Sequence, residues 1–407
     1  MLKILLRLAI LNLLRNRNRT TIAALTVAGG IVAFLLAGGF INWIFQDMRD
    51  ATIRSQLGHF QIVRPGFFEK GMSDPYEFLL PAKSEQELLV SAHPGLKALT
   101  PRLIFFGLAS LGDTTVAFSG EGIDPVRERP ISTRITISEG IDLSGLDDKS
   151  VILGEGLAKN LGAKPGSQIV LLCTAANGSA SAIEVNVAGI FYTINKDFDN
   201  YALRIPISLA RKLMRVDGAT SWVGLLEDTD TTAVAVNELI SILPAETFQL
   251  IPWTELADFY NKTVVLFSKQ VDVIKIIIGL IIVLTISNIQ TMTVLERTTE
   301  IGTILAVGVH SREIMLQFLL EGLVIGIAGG LVGVLLAVSL AELISHIGIP
   351  MPPPPGMARG FTGQIIINAM LVADALVLST ITTLVASLMP AWKASHLNIV
   401  DALRTNQ

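Results

Sequence analysis

A single cysteine, Cys173, stands in this chain of 407 residues, so no internal disulfide can form and no paired-cysteine redox or zinc motif exists. The five histidines are scattered and do not replace those ligands. Cys173 is expected to be a small buried residue. Charge is also scarce: 16% of positions are charged against roughly 25% in soluble domains, while 51% are hydrophobic. The mean hydropathy of +0.57 agrees, and part of the chain must lie in lipid. A net charge of −4 supplies no basic field for nucleic acid. G-x-S-x-G, H-E-x-x-H and the G-x-x-x-x-G-K-S/T phosphate loop are missing, so the chain is not expected to hydrolyse ATP itself. A triad assembles in space rather than in sequence, which leaves an enzyme site as the weakest reading.

Long uncharged runs are what the chain has instead. A helix rising about 1.5 Å per residue needs roughly 20 apolar positions to cross the hydrocarbon. Residues 20–46 meet this without a charge, and so do 276–295 behind Lys275 and 322–341 behind Glu321. A fourth run, 364–392, carries Asp374 as its only charge. The predicted order is an interfacial N-terminal helix 1–19, spans at 20–46, 273–295, 314–341 and 364–392, and a soluble insert 47–272. A connection 296–313, a proline-rich connection 342–363 and a tail 393–407 complete it. Lys3, Arg7, Arg15, Arg17 and Arg19 precede the first span with no acid among them, which places the N-terminus in the cytoplasm and, by parity, the insert outside and the tail inside. A cleaved signal peptide competes, but its apolar core would be only about 7–15 residues long.

The insert changes to short β-branched runs broken by Gly, Pro, Asn and Asp, the mark of a mixed α/β domain. Strands are predicted at 59–63, 115–120, 150–154, 167–173, 183–191 and 222–226, and helices at 154–161, 208–214 and 231–243. A domain of this length can bury its own core and divide in two. Glu321 and Asp374, charges on different spans at opposite depths, read as hydrogen-bonding groups rather than a proton relay. Gly29, Gly30, Gly38, Gly39, Gly326, Gly329, Gly330 and Gly333 offer close helix packing. The run "PMPPPP" (350–355) favours a stiff polyproline spacer bracing spans three and four.

Between the second and third spans lies "ERTTEIGTILAVGVHSREIM" (296–315). Ile301, Ile304, Leu305 and Gly308 recur at helical spacing, so a short helix offers an apolar knob rimmed by charge to a partner, unless it merely extends its neighbours. Glu296 and Glu300 either pair with a partner's basic residues or stay solvated.

This stretch resembles the signature of the FtsX/MacB/LolC–LolE group of ABC transporter permeases, in which Glu-Ile-Gly, here Glu300, Ile301 and Gly302, is followed by a glycine, here Gly308. The ending "MPAWKASHLNIVDALR" is similar to that of the same group through Pro390, Ala391, Ala402, Leu403 and Arg404. So are "ILGEGLAKNLGAKPGSQIVLL" and "VAGIFYTINKDFDNYALRIPISLARKLM" within the insert. Leu305 stands where the group often has Arg or Lys, and Ile399 where it often has Pro.

The resemblance implies four transmembrane helices plus a large mixed α/β periplasmic domain, a MacB-like periplasmic core. It implies an ATPase-coupling helix built from Glu296, Arg297, Glu300, Ile301, Gly302, Leu305 and Gly308, seated in a groove of a separate ABC ATPase. Two ATPase copies, which bind the ATP and Mg, a second permease chain, the lipid of a bacterial inner membrane and a periplasmic carrier or adaptor are the implied partners. This chain is expected to bind no cofactor or metal and to be no enzyme. "GHFQIVRPGFF" (58–68) looks like the corresponding strand of lipoprotein-releasing permeases, which implies extraction of lipoprotein- or lipid-like amphiphiles toward the outer membrane. MacB-like efflux of drugs, peptides or toxins is the alternative, although MacB usually fuses an ATPase ahead of the permease and only about 19 residues precede the first span here. FtsX-like regulation of a periplasmic hydrolase is the third.

Overall fold

The computed structural model describes residues 2–71, 74–145, 149–353 and 360–398. It divides into a helical unit (Met1–Phe45, Val264–Pro350, Thr362–Gln407) and an α/β unit (Gln46–Thr263, Met351–Phe361).

Among the described residues, six helices make up the helical unit or enter it: α1 (Leu2–Arg15), α2 (Arg17–Thr52), α3 (Asp258–Glu296), α4 (Thr298–Ala306), α5 (Ser311–Ile347) and α6 (Ala369–Ser395). Of these, α2, α3, α5 and α6 are long and apolar enough to cross a membrane. Three outrun the predicted spans because no proline or glycine pair stops them at the polar flanks. The second span starts at Asp258, inside the predicted insert, and at 39 residues is about 58 Å long, well beyond a hydrocarbon core of about 30 Å. The fourth begins late: Asn368 caps α6 by accepting the Leu371 N–H at 2.8 Å, and residues 364–368 before it have no regular secondary structure. The Ile366 N–H of that stretch donates to the Gly39 carbonyl at 3.0 Å.

Buried Val27, Ile31, Phe34, Ile282, Ile286 and Ile325 form the centre of the bundle. Its tightest seam joins α5 to α6. A Cβ on Gly322, Gly326 or Gly330 would lie 1.9 Å from Ser387 Oγ, 2.2 Å from Thr383 Oγ1 and 2.6 Å from Ser379 Oγ, respectively. Each of those hydroxyls donates to a carbonyl of its own helix, so none of the three donors is left unpaired. On the next face of α5, Gly329 and Gly333 meet Val27 and Ile31 of α2. The predicted close packing at glycine thus holds along α5, and on α2 a Cβ at Gly30, Gly38 or Gly39 would lie 3.0, 2.9 or 2.7 Å from Ile282, Leu371 or Ile365, whereas Gly29 has nothing within 4 Å.

The α/β unit is built on one ten-stranded sheet. Its strands are β1 (Phe60–Val63), β2 (Leu96–Leu111), β3 (Thr114–Ile123), β4 (Thr136–Gly140), β5 (Ser150–Gly154), β6 (Gln168–Thr174), β7 (Ala180–Tyr192), β8 (Ala202–Pro206), β9 (Ser221–Leu226) and β10 (Gln249–Pro252). The order is β10-β1-β9-β2-β3-β8-β5-β7-β4, with β6 pairing both β2 and β7. All six predicted strands are present, and β2, β4, β8 and β10 are additional. The helices Glu155–Leu161, Ile207–Met214 and Thr232–Ile242 fall at the predicted positions. Two cores lie on the sheet, one around Phe105, Leu153, Ile169 and Leu203 and one around Phe60, Ile62, Trp222 and Leu239, so the insert divides its core without dividing its sheet. Cys173 is buried in the first of them, and that burial pushes its thiol up to about 12.

In the proline-rich connection, Ile349–Met351 and Phe361–Gly363 form a two-stranded ladder. Part of the predicted spacer, Pro354 and Pro355, lies outside the described residues.

Candidate functional site

The segment between α3 and α5 is a nine-residue helix, α4, with a tight exit. Gly308 supplies that exit. Its φ of +102° is open only to glycine, its N–H donates to the Leu305 carbonyl at 3.0 Å, and the Val309 N–H reaches back to the Ile304 carbonyl at 3.4 Å. This pair of bonds closes the helix in a Schellman turn, and Ser311 opens α5 three residues later. Gly308 therefore shapes the backbone here. A Cβ built on it has no neighbour within 4 Å.

The predicted knob splits in two. Ile301 is 3% exposed and packs with Val294, Ile314, Phe318, Ala391 and Ala394, with Leu305 and Val309 partly buried against them. Gly302 is buried beside it. The outward apolar surface is instead Ile304 at 38% and Val307 at 82% exposure. The cause is geometric: a helix this short between two long ones must bury one side to be held at all, and Ile301 with Leu305 is the more apolar side.

The charged rim is occupied from within the chain. Arg15 of α1 donates to both carboxylate oxygens of Glu300, at 2.8 and 3.1 Å, and Arg297 Nε adds a third bond at 3.1 Å. Arg19 makes a paired contact with Glu296. Both glutamates are thus paired within the chain, while their side chains stay 43% and 49% exposed. The donors lie 285 and 277 positions away, which no local pattern reveals. Hydrogen bonds from Arg15, and then Arg297, hold the Glu300 carboxyl below the usual carboxylate range.

Arg297 is the residue that joins rim to bundle. It is 8% exposed, lies 5.9 Å over the Phe318 ring and places Nη1 3.4 Å from Glu321 Oε1. Asn12 of α1 donates to the same Glu321 oxygen at 2.9 Å. Glu321 is thus a buried hydrogen-bonding group, while Asp374 pairs with Lys275 at 3.3 Å. Leu5 and Ala9 of α1 pack on Leu320, so α1 belongs to the bundle even though Ile4, Leu11 and Leu14 remain exposed. In the C-terminal motif, Pro390 and Ala391 are buried in α6, and Ala402, Leu403 and Arg404 lie outside the described residues.

Sequence reasoning singled out Glu296, Arg297, Glu300, Ile301, Gly302, Leu305 and Gly308, which run from the end of α3 through α4 to its exit. It missed Asn12, Arg15 and Arg19, although the absence of acids around those cations was a signal that they had work to do.

Comparison with known proteins matches residues 20–242 to the MacB-like periplasmic core domain and residues 273–399 to the FtsX-like permease C-terminal domain. The macrolide export ATP-binding/permease protein MacB of Psychrobacter arcticus is 25% identical over 249 residues, which cover 59% of this chain and 35% of that protein. The chain thus spans little more than a third of the length of that relative. An uncharacterised ABC transporter permease of Methanocaldococcus jannaschii is 24% identical over 283 residues, 66% of this chain and 65% of that one. Among solved structures, the periplasmic region of MacB from Actinobacillus actinomycetemcomitans aligns with 51% of this chain and 95% of its own, at 14% identity and a TM-score of 0.38. The two family models together run through both units, and on that ground the chain belongs to the ABC transporter permeases that pair a MacB-like periplasmic core with an FtsX-like permease domain.

Proposed function

We propose that this chain is the permease subunit of an ABC transporter in the inner membrane, with both termini cytoplasmic, and that it transmits the ATP-driven motion of a separate ATPase to its periplasmic α/β domain. The observation that carries this is the two-sided character of α4. One side, Ile301 with Leu305, is fixed in the bundle, while Ile304 and Val307 stand free on the other. A helix buried along one side and bare along the adjoining one passes displacement from a docked partner into α3 and α5. Two ATPases carrying ATP and Mg, and a second permease chain, complete the transporter. The cargo reading is a lipoprotein- or lipid-like amphiphile, supported by residues 58–68, which form β1 and the turn after it. Likeness to proteins named for macrolide export favours a second reading, efflux of a drug, peptide or toxin.

The test is co-purification of the full chain from its native membrane with the ATPase it captures. Ile304→Asp and Val307→Asp are expected to reduce the captured Walker-motif ATPase at least tenfold with no change in the melting temperature of the permease. Undiminished capture by both variants would remove the coupling reading. Mass spectrometry of co-purified lipoproteins, against macrolide susceptibility of the deletion strain, separates the two cargo readings.

A further inference from the structure

The end of α2 is unusual. After Thr52 the chain makes one turn of π-helix, Ile53–Leu57, closed by the Gly58 N–H on the Ile53 carbonyl at 2.9 Å. Such wide turns are rare and cluster at functional positions. The last carbonyls of a helix have no partner inside it, and in this turn every one of them is taken. The Arg54 carbonyl accepts the Arg134 N–H at 3.0 Å, Ser55 accepts Arg204 Nη2 at 3.1 Å, Gln56 accepts Arg102, and Leu57 accepts the Gln61 side-chain amide at 3.2 Å.

Two of these donors are buried guanidinium groups. Arg102 on β2 is 3% exposed and Arg204 on β8 is 1% exposed. Between their strands lies β3, whose Glu121 accepts from Arg204 at 2.8 Å. Arg102 forms a two-pronged pair with Glu128, at 2.5 and 3.3 Å. Ser132 donates to Glu128 and accepts from Arg204, both at 2.8 Å, which closes the cluster.

Burying four charges is a poor way to gain stability, because apolar groups of the same volume commonly do as well or better. What apolar groups cannot do is hold carbonyl oxygens. A guanidinium reaches a carboxylate and a carbonyl at once, and a cation at a helix C-terminus also meets the negative end of the helix dipole.

We propose that Arg102 and Arg204 are positioning residues that fasten the outlet of α2 to β2, β3 and β8, so that a displacement of α2 is delivered to the middle of the sheet. This rests on the coupling reading above.

The experiment uses the full chain with its co-purified ATPase in lipid nanodiscs, comparing hydrogen exchange in the nucleotide-free and ADP–vanadate states. Wild type is expected to show a nucleotide-dependent change both in residues 40–57 and in β3 and β8. In Arg204→Lys, and in a fourfold variant that removes all charge at similar volume (Arg102→Met, Arg204→Met, Glu121→Leu, Glu128→Leu), the change at β3 and β8 should fall at least fivefold. Residues 40–52 and ATP turnover should stay within twofold of wild type. Should the fourfold variant fail to fold, Arg204→Lys carries the comparison. Strands that respond in the variants as in wild type overturn the proposal. A wild type in which residues 40–57 respond and the strands do not overturns the joint alone, and one that responds nowhere overturns the coupling reading with it.

Discussion

Arg204 and Ser55 stand 149 positions apart, and Nη2 of the arginine donates to the serine carbonyl at 3.1 Å across the start of the α/β unit. The same arginine is paired with Glu121 at 2.7 Å and is almost without solvent. Removing one member of a buried pair strands the other, at a cost of about 3–5 kcal/mol, whereas removing both at constant volume costs much less. Arg204→Met should therefore lower the stability of the full chain by about that amount, and adding Glu121→Leu should recover most of it. Urea unfolding followed by circular dichroism decides this; a double variant no better than the single would show that the loss comes from packing.

The glycine seam gives a prediction for the membrane bundle. Gly326 faces Thr383 so closely that a side chain must push α5 from α6, and overpacking of this kind costs about 1–3 kcal/mol. Gly326→Leu is expected to lower the melting temperature in detergent, read by fluorescence-detected size exclusion. Gly29→Ala, where a Cβ meets nothing within 4 Å, is the control expected to be silent. Equal effects would mean that helix propensity, not the seam, governs.

At the exit of α4 the prediction separates backbone from contact. An L residue forced to positive φ costs about 1–2 kcal/mol, so Gly308→Ala should loosen the Schellman turn despite adding a single methyl group into open space. Faster hydrogen exchange at residues 303–309 would report it. Unchanged exchange there, with ATPase capture lost, would assign Gly308 to the partner surface instead.

How far these features were legible in the sequence follows from the range of the forces that make them. The spans were readable because solvation in lipid acts on each residue alone. Their ends were not, since polar flanks such as residues 258–272 are good helix formers once a neighbouring run has nucleated them. Gly308 was visible as a glycine after an apolar helix, a stop signal, yet it was read as part of the apolar knob of the helix itself. The long strand β2 escaped because Pro101 and Gly107 interrupt it and Arg102 breaks its apolar run. Arg102 is inside only because Glu128 and the Gln56 carbonyl are there to receive it, a pairing that exists once the sheet has formed. The partners of Glu296 and Glu300 were hidden for the same reason.

The Arg15–Glu300 tie is half exposed, with side chains at 53% and 49%, so it contributes less than about 1 kcal/mol and is screened by salt. It joins α1 to α4. Arg15→Glu should reduce ATPase turnover in the assembled transporter several-fold, and Arg15→Glu with Glu300→Arg should restore it. Because the bonds depress the Glu300 carboxyl, the tie is complete at neutral pH and is lost only as pH falls through a value below the usual carboxylate range. A double variant as impaired as the single would show that the two residues act separately.

His59 immediately precedes β1 in a site without solvent, and the partners of its two ring nitrogens fix its protonation. Nδ1 accepts the Leu226 N–H at 2.9 Å, so the neutral ring must carry its proton on Nε2, which donates to Thr229 Oγ1 at 2.9 Å. A second proton would set Nδ1–H against the Leu226 N–H. Burial, with Arg54 and then Arg49 adding repulsion and Asp228 opposing, brings the imidazole down to about 4. For a base with a folded value below its unfolded one, stability is whole above the unfolded value, declines as pH falls between the two, and levels off below the folded value. The window therefore runs from about 6.5 to about 4, with a ceiling on the order of 3 kcal/mol. His59→Gln keeps an acceptor for the Leu226 N–H without a titrating group, and it should flatten the pH dependence of unfolding across that window while wild type slopes. If wild type and variant slope alike, other groups set the acid limit of the α/β unit and His59 only packs.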